Sequence, residues 1–411
     1  MNRNYRIIKK FAISCFVVIA TNMTTARAET IHDAIVAACS RDPETHSAAI
    51  DRQASQKTAR ALDAWFPSGP VLSGQYLDDH FIGSKVGYTT YQGGISVPLW
   101  LPGQGSASVK NAEAGTAVAE ARIKVQKLLV SVRVLDLASL ATSLSLEITN
   151  LNGTISLLDR TLTSSRQAVR MGEVSPADEE AVEAGKEDLE AQVAERRQSL
   201  DAVRAELETV TGSDEIPDLL SLDGHLLSTH KARLDPDNDP RIALANSLTH
   251  EAQTTFDLTR HSYMPNPQIG VQVSRQEQYD SPWDTQVGVQ FQVPLPSAAR
   301  NTPRLMKDVS AIGAARRDAE LARRKVSVEY RRTRSQMASA ISILKHTRIS
   351  HDALQKRASQ LDEAWRVGET SIIEYLRARR AELEASQRMA QANVIWRASL
   401  VRILLMSGQT P

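Results

Sequence analysis

Cysteine, aromatic residues and net charge are all scarce in this chain of 411 residues. It has two cysteines, and one of them, Cys15, falls in the first 28 residues. Once those residues are removed Cys39 stands alone, which excludes an internal disulfide; it reads as a small packed residue. Aromatics are 5% of the chain, too few for a thick globular core and in keeping with long helices. A formal net charge of +1 excludes a general nucleic-acid binder. Nineteen glycines and sixteen prolines exclude collagen-like or low-complexity sequence. Beyond residue 28 no transmembrane helix is read, since even the apolar stretch Val394 to Met406 is cut by Arg397 and Arg402.

Catalytic signatures are missing too. The nine histidines form no His-Glu-x-x-His pattern and no cluster with cysteine. The closest pairs, His225 with His230 and His346 with His351, lack the i,i+4 spacing that sets two ligands on one helix face. There is no phosphate-binding glycine loop and no Gly-x-Ser-x-Gly elbow. The expectation is therefore no enzyme, no cofactor and no metal site. An exported metal-dependent enzyme is the least favoured class.

What is present starts with residues 1–28. Arg3, Arg6, Lys9 and Lys10 precede the short apolar run Phe11 to Ala20, and Ala26-Arg27-Ala28 is a small-x-small cleavage site. This is the order of a secretory signal peptide, cleaved after Ala28. Cys15 follows too little apolar sequence for lipidation. Cleavage removes five basic residues and no acidic one, leaving the mature chain slightly acidic.

The remainder is written twice. Asp42-Pro43 recurs as Asp239-Pro240, Pro70 as Pro267, Val97-Pro98-Leu99 as Val293-Pro294-Leu295, and Gly172-Glu173-x-Ser175 as Gly368-Glu369-x-Ser371. The four markers keep their order at an offset of 196 or 197 residues, so residues 29–212 and 239–411 read as two copies of one unit. Residues 213–238 link them, with the proline-rich joint Asp235 to Pro240. Each copy predicts a first helix (Ile31 to Ala64; Arg241 to Tyr263), two strands, a very long helix, a glycine turn and a return helix. No proline interrupts Gln104 to Arg170 or Leu305 to Arg366. About 65 residues at 1.5 Å each is on the order of 100 Å, which suits coiled-coil packing.

The strands alternate at period two. Ile269, Val271 and Val273 alternate with Gln268, Gly270 and Gln272; Val287, Val289, Phe291 and Val293 alternate with Gln286, Gly288, Gln290 and Gln292. Tyr91, Gly93, Ile95 and Val97 repeat the pattern, whereas Val71 to Leu77 follows it less cleanly. A half-buried sheet on a soluble core alternates in the same way. In an exported protein, a polar face of Gln and Gly also suits a barrel lumen. Four strands are too few for a membrane barrel, so spanning strands would have to be pooled by several subunits. The connection from Asp78 to Gly87 predicts small extracellular loops.

The long helices end at Gly172-Glu-Val-Ser175-Pro176-Ala-Asp178 and Gly368-Glu-Thr-Ser371-Ile-Ile-Glu374. Each glycine is placed as a C-cap and each serine as an N-cap. The acid three residues on reads as the second half of a capping box, or at least as a complement to the helix dipole. Glu173, Asp178, Glu179, Glu180, Glu183, Glu187, Asp188, Glu190 and Glu195 make the first hairpin acidic, with Lys186 alone opposing them up to that point. Arg316 to Arg334 is basic.

With its duplicated order, its Val-Pro-Leu strand ends and both Gly-x-x-Ser-x-x-Asp/Glu turns, the chain resembles the TolC-like outer-membrane efflux protein family. The resemblance implies a mainly α protein with membrane β. It implies a homotrimer with a 12-stranded barrel in outer-membrane lipid and a periplasmic helical tunnel. Partners implied are a periplasmic adaptor (membrane fusion) protein and an inner-membrane pump. The expected docking and gate residues are Gly172, Ser175, Asp178, Gly368, Ser371 and Glu374, with Arg377 where some members carry a second acid. That arginine points to an Arg–Glu contact in the gate. Heavy-metal cations are the preferred cargo, with small drugs or secreted protein as alternatives. A soluble periplasmic coiled-coil scaffold is the reading from another class.

Overall fold

The computed structural model describes residues 30–79, 87–172, 175–221, 236–278 and 281–409. The signal peptide and most of the first strand connection lie outside the described residues.

The first helical stretch is two helices, α1 (Ile31–Arg41) and α2 (Pro43–Leu62), where the sequence predicted one. Pro43 has no amide hydrogen to continue α1, and the Asp42 side chain accepts from the Thr45 amide at 2.8 Å, so α2 starts afresh. Strands β1 (Val71–Asp78) and β2 (Tyr88–Pro98) follow. Helix α3 (Gln104–Met171) runs 68 residues, and α4 (Pro176–Thr211) returns beside it. The second half repeats the order with α5 (Pro240–His261), β3 (Gln268–Gln278), β4 (Asp284–Gln292), α6 (Ala298–Arg366, 69 residues) and α7 (Ile372–Met406). Helix α6 begins earlier than the proline-free stretch and carries Pro303 inside it. One lost main-chain hydrogen bond near the start is tolerable in so long a helix.

The four strands form one antiparallel sheet in the order β1-β2-β3-β4, with β1 and β4 as open edges. Its register sorts the side chains. Leu72 pairs with Ile95, Ile95 with Val271 and Val271 with Val289, so these four share a face. Gln75, Gln92, Ser274 and Gln286 form a matching row on the other face. Val71 and Leu77 fall on that polar face, which is why β1 alternated poorly in sequence.

The helices make a layer in which α3 is central. It packs against α2 and α4 on one side and α5 and α7 on the other, and α6 packs against α5 and α7. Helix α3 contains a stretch long and apolar enough to cross a membrane, which the sequence reading did not find, and half of it is buried within the chain. Neighbours on both sides explain its unusually apolar surface. The largest buried cluster joins α1 (Ile31, Ala34, Ile35), α3 (Val134, Leu135, Ala138) and α7 (Val401, Leu404). The C-terminal apolar stretch is therefore part of this core. Cys39 packs on the same cluster. Burial pushes its thiol above the ordinary value, outweighing the Ser131 hydrogen bond and Lys127. Alkylation of Cys39 at pH 8 is therefore expected to run about tenfold or more slower than that of a free thiol, because the thiolate reacts. Timed mass spectrometry of the folded protein checks this.

Candidate functional site: the helical tips and the two-faced sheet

At the first tip Gly172 has φ +79°, the left-handed region, and its amide donates to Val169 O at 3.0 Å. Ser175 Oγ accepts from the Ala177 amide at 3.3 Å, and Pro176 opens α4, where no amide is needed. Asp178 lies in the first turn of α4. At the second tip Gly368 has φ +81°, its amide donates to Trp365 O, and the Glu369 amide donates to Ala364 O. Ser371 Oγ accepts from the Glu374 amide at 3.4 Å.

Neither acid is seen to complete a capping box. The Glu374 carboxylate instead accepts from Arg377 Nη1 at 2.6 Å, one turn along α7. A charged partner on the same face outcompetes a single amide. Both side chains remain substantially exposed, so the pair is worth about 0.3–0.5 kcal/mol and exchanges easily. The acidic helix is also better compensated than its own sequence indicated. Arg166, across on α3, binds Glu179 at 3.0 Å and Glu183 at 3.3 Å, while Lys186 binds Asp159 at 2.9 Å.

The structure brings the two tips together, which local sequence could not show. Leu158, Leu162, Val182 and Ile372 form one apolar cluster across both hairpins. Trp365 stacks on Tyr375 at 5.9 Å and 7°. Arg379 lies over the Tyr375 ring and bonds Glu382 at 2.7 Å. Burial pulls this guanidinium down, but the hydrogen bonds of Tyr375 and Glu382 outweigh it and leave it above its ordinary value. A groove of about 1000 Å³ opens between the tips, lined by Ser175, Asp178, Asp362, Trp365, Ser371 and Tyr375 among others. Sequence reasoning missed Trp365, Tyr375, Arg379 and Arg166. A tryptophan three residues before a capping glycine is the one signal it could have used.

The second part of the site is the sheet. Leu72 is 83% exposed and Val289 63%, and Ile95, Val271, Val287 and Phe291 are exposed with them. This is a continuous exposed apolar face, the kind of surface that marks a membrane or protein contact. The opposite face carries Gln, Ser and Gly. Tyr76, Tyr91 and Trp283 cluster at one end of the apolar face, with Arg275 over the Trp283 ring at 5.1 Å. An aromatic border on an apolar band is the pattern of a membrane interface. No group of three His, Cys, Asp or Glu able to hold a metal occurs among the described residues.

Residues 236–409 match the family model of the outer membrane efflux protein. No curated protein matches the chain in sequence. Among solved structures, the outer membrane protein VceC of Vibrio cholerae has a TM-score of 0.75 at 13% identity, over 92% of this chain and 96% of that one. CusC, described through its transmembrane channel formation, has 0.73 at 13%, over 93% and 92%. The open MtrE outer membrane channel of Neisseria gonorrhoeae has 0.63 at 16%, over 92% and 89%. The shared fold is one of long helices with a strand sheet at one end. Residues 236–409 thus carry the pattern of the outer membrane efflux protein family, and nearly the whole chain shares its fold with these outer-membrane proteins.

Proposed function

We propose that three copies of this chain close a twelve-stranded barrel in outer-membrane lipid and a periplasmic tunnel of twelve helical strands. The assembly is the passive exit duct of a tripartite efflux system. One observation carries this reading: among the described residues, a sheet of four strands, apolar on one face and polar on the other, with neither edge paired. Within hydrocarbon each free edge leaves backbone groups without hydrogen bonds, at several kcal/mol apiece. Pairing β4 of one copy with β1 of the next removes every edge and puts the Gln and Gly rows on a water-filled lumen.

Each half of the chain, 29–212 and 239–411, supplies one pair of strands and one helical hairpin, with 213–238 as the link. The tips of the hairpins, at Gly172, Ser175 and Asp178 and at Gly368 and Ser371, dock the hairpins of a periplasmic adaptor. That adaptor couples the duct to an inner-membrane pump, which supplies the energy. Glu374 and Arg377 ring the entrance. Their exposed, weak pairing within one helix leaves each free to exchange partners with a neighbouring copy. The cargo is a small solute, a metal cation or a drug.

Mass measurement in detergent is expected to give three copies, and reconstitution in a planar bilayer an ohmic conductance without nucleotide. A single copy that conducts nothing sinks the reading. In the same bilayers, Arg377→Ala is expected to raise closed-state conductance several-fold, because three unopposed Glu374 carboxylates repel one another across the entrance. Unchanged conductance in both Arg377→Ala and Glu374→Ala would remove these residues from the gate and leave the duct standing.

A further inference from the structure

Among the described residues, one face of the helical layer carries a second layer of chain. Helix α1 lies across α3 and α7, and Leu219, from the link between the two halves, is buried with it. Thr30, just before α1, forms a bridge with Asp218 of the same link. On α3 the covered side is marked by Val134, Leu135 and Ala138. A second layer on the inside of a closed tunnel would fill its bore. In the trimer the α1 side therefore faces out, and the opposite side faces the lumen.

That opposite side holds a recess of about 780 Å³ between α3 and α6, with α7 as its floor. On α3 it is lined by Asp136, Ser139, Leu140 and Ser143. At 100° per residue this stripe is centred about 140° round the helix from the residues under α1. The recess thus opens away from the second layer.

Its wall has two characters. Leu140 of α3, Ile343 of α6 and Ile395 of α7 converge on it, and each is about half exposed. Large apolar side chains gathered from three helices onto a water-facing wall mark a contact surface. Between them stand the hydroxyls of Ser139 and Ser143 and the amides of Gln336 and Gln391. Charge enters at one place, where Asp136 pairs with Arg402. Asp136 is 58% exposed against 28% for Arg402, so the carboxylate is the charge that a solute meets first.

Resting on the duct reading above, we propose that this recess is a lumen-wall site for an amphipathic organic cation of drug size. Its volume lies within the range of about 300–1,000 Å³ typical of small-molecule sites. The apolar body of the ligand covers Leu140, Ile343 and Ile395, its cationic end faces Asp136, and the serine and glutamine groups replace water along its polar edge. A hydrated metal cation finds no such fit, because the one carboxylate is shared with Arg402 and no ligating cluster stands beside it among the described residues. Of the cargoes named above, the recess suits the drug. Three copies set three such recesses at one height in the duct. Passage needs binding favourable enough to enter and weak enough to leave, and a shallow, half-exposed wall site meets both conditions.

Current block tests the site. In planar bilayers with ethidium added on the external side, the trimer is expected to show brief interruptions of a potassium chloride current. Leu140→Ser with Ile395→Ser is expected to shorten their dwell time roughly tenfold, because the ligand loses two apolar contacts. Ser339→Phe, which fills the recess from α6, is expected to do the same by another route. Unblocked conductance and helical circular dichroism are expected to hold in both variants. Anilinonaphthalene sulfonate, comparably apolar but anionic, is expected to dwell several-fold more briefly in the wild type. An anion that dwells as long as ethidium would overturn the assignment to cations. A conducting trimer that ethidium never interrupts, or interruptions equally long in both variants, would overturn the site and leave the duct standing. A wild-type protein that conducts nothing would instead overturn the duct reading beneath it.

Discussion

Replacing Asp239 by alanine is expected to destabilise the folded protein by about 3–5 kcal/mol, the usual consequence of removing one partner of a buried ion pair. Asp239 is fully buried, the second half's counterpart of Asp42. Its Oδ1 accepts from the Arg241 amide at 2.8 Å, capping α5, and from Arg241 Nε at 3.0 Å; Oδ2 accepts from Nη2 at 2.8 Å. Arg241 Nη1 reaches across to Glu329 on α6 at 2.6 Å. One carboxylate thus caps a helix and aims the cation that ties α5 to α6. Burial pulls the Arg241 guanidinium down, but the bonds to Asp239 and Glu329 outweigh it and hold it above its ordinary value. The sign matters: stability from a raised basic group is present below its unfolded pKa and lost only as pH rises through the folded one. Arginine's values all lie beyond the working range, so no pH in that range discharges Arg241, which would be left with Glu329 alone. The melting temperature should fall by roughly 10 °C, given a few degrees per kcal/mol in a chain of this size. Asp239→Asn keeps the cap, and a smaller fall separates the cap from the charge. A loss under about 1 kcal/mol for Asp239→Ala would show that the cluster is not a structural tie.

The second large effect concerns Gly270, where strand propensity gives the wrong sign. Valine favours strands over glycine, so propensity alone expects Gly270→Val to stabilise β3. A Cβ there would stand 2.6 Å from Ile95 O and 2.8 Å from Ser96 Cβ. The first is main-chain oxygen of the paired strand, which can retreat only by breaking the β2–β3 ladder. The expected result is loss of the sheet while the helices keep their circular dichroism. Conductance and heat-resistant mobility in gels should vanish together. Gly288→Val is the control, because nothing lies within 4 Å of a Cβ at Gly288. Equal behaviour of the two variants would mean that the strands are spaced otherwise than described.

The legible parts of the sequence were those set by one segment alone. Helices α3 and α6 announced themselves by length without proline, and the turns by glycine and serine at fixed spacing. Pro43 and the Asp42 cap, which end α1 and start α2, were read only as a repeat marker, so the break between the two helices was overlooked. Strand β1 hid because Val71 and Leu77 lie on the polar face, where alternation alone assigns no apolar residue. Contacts between distant segments were not legible. Arg166 with Glu179, Trp365 with Tyr375 beside the other hairpin, and Asp239 with Glu329 through Arg241 all depend on how far one helix slides along another. A heptad repeat leaves that slide undetermined, since every seventh residue fits equally well. At the second tip the reciprocal half of the capping box is missing because Arg377, outside the four-residue motif, takes the Glu374 carboxylate; both acids still lie in a first helical turn, where they complement the dipole.

The unpaired margins of the sheet have a genetic consequence. If three chains must each offer one β1 and one β4 to complete a ring, a single defective chain spoils the whole ring. Equal synthesis of intact and edge-damaged chains, mixed at random, would leave only about one ring in eight wholly intact. An inactive copy with both hairpins sound but β4 unable to pair should therefore act as a dominant poison of export in cells that also make the normal chain.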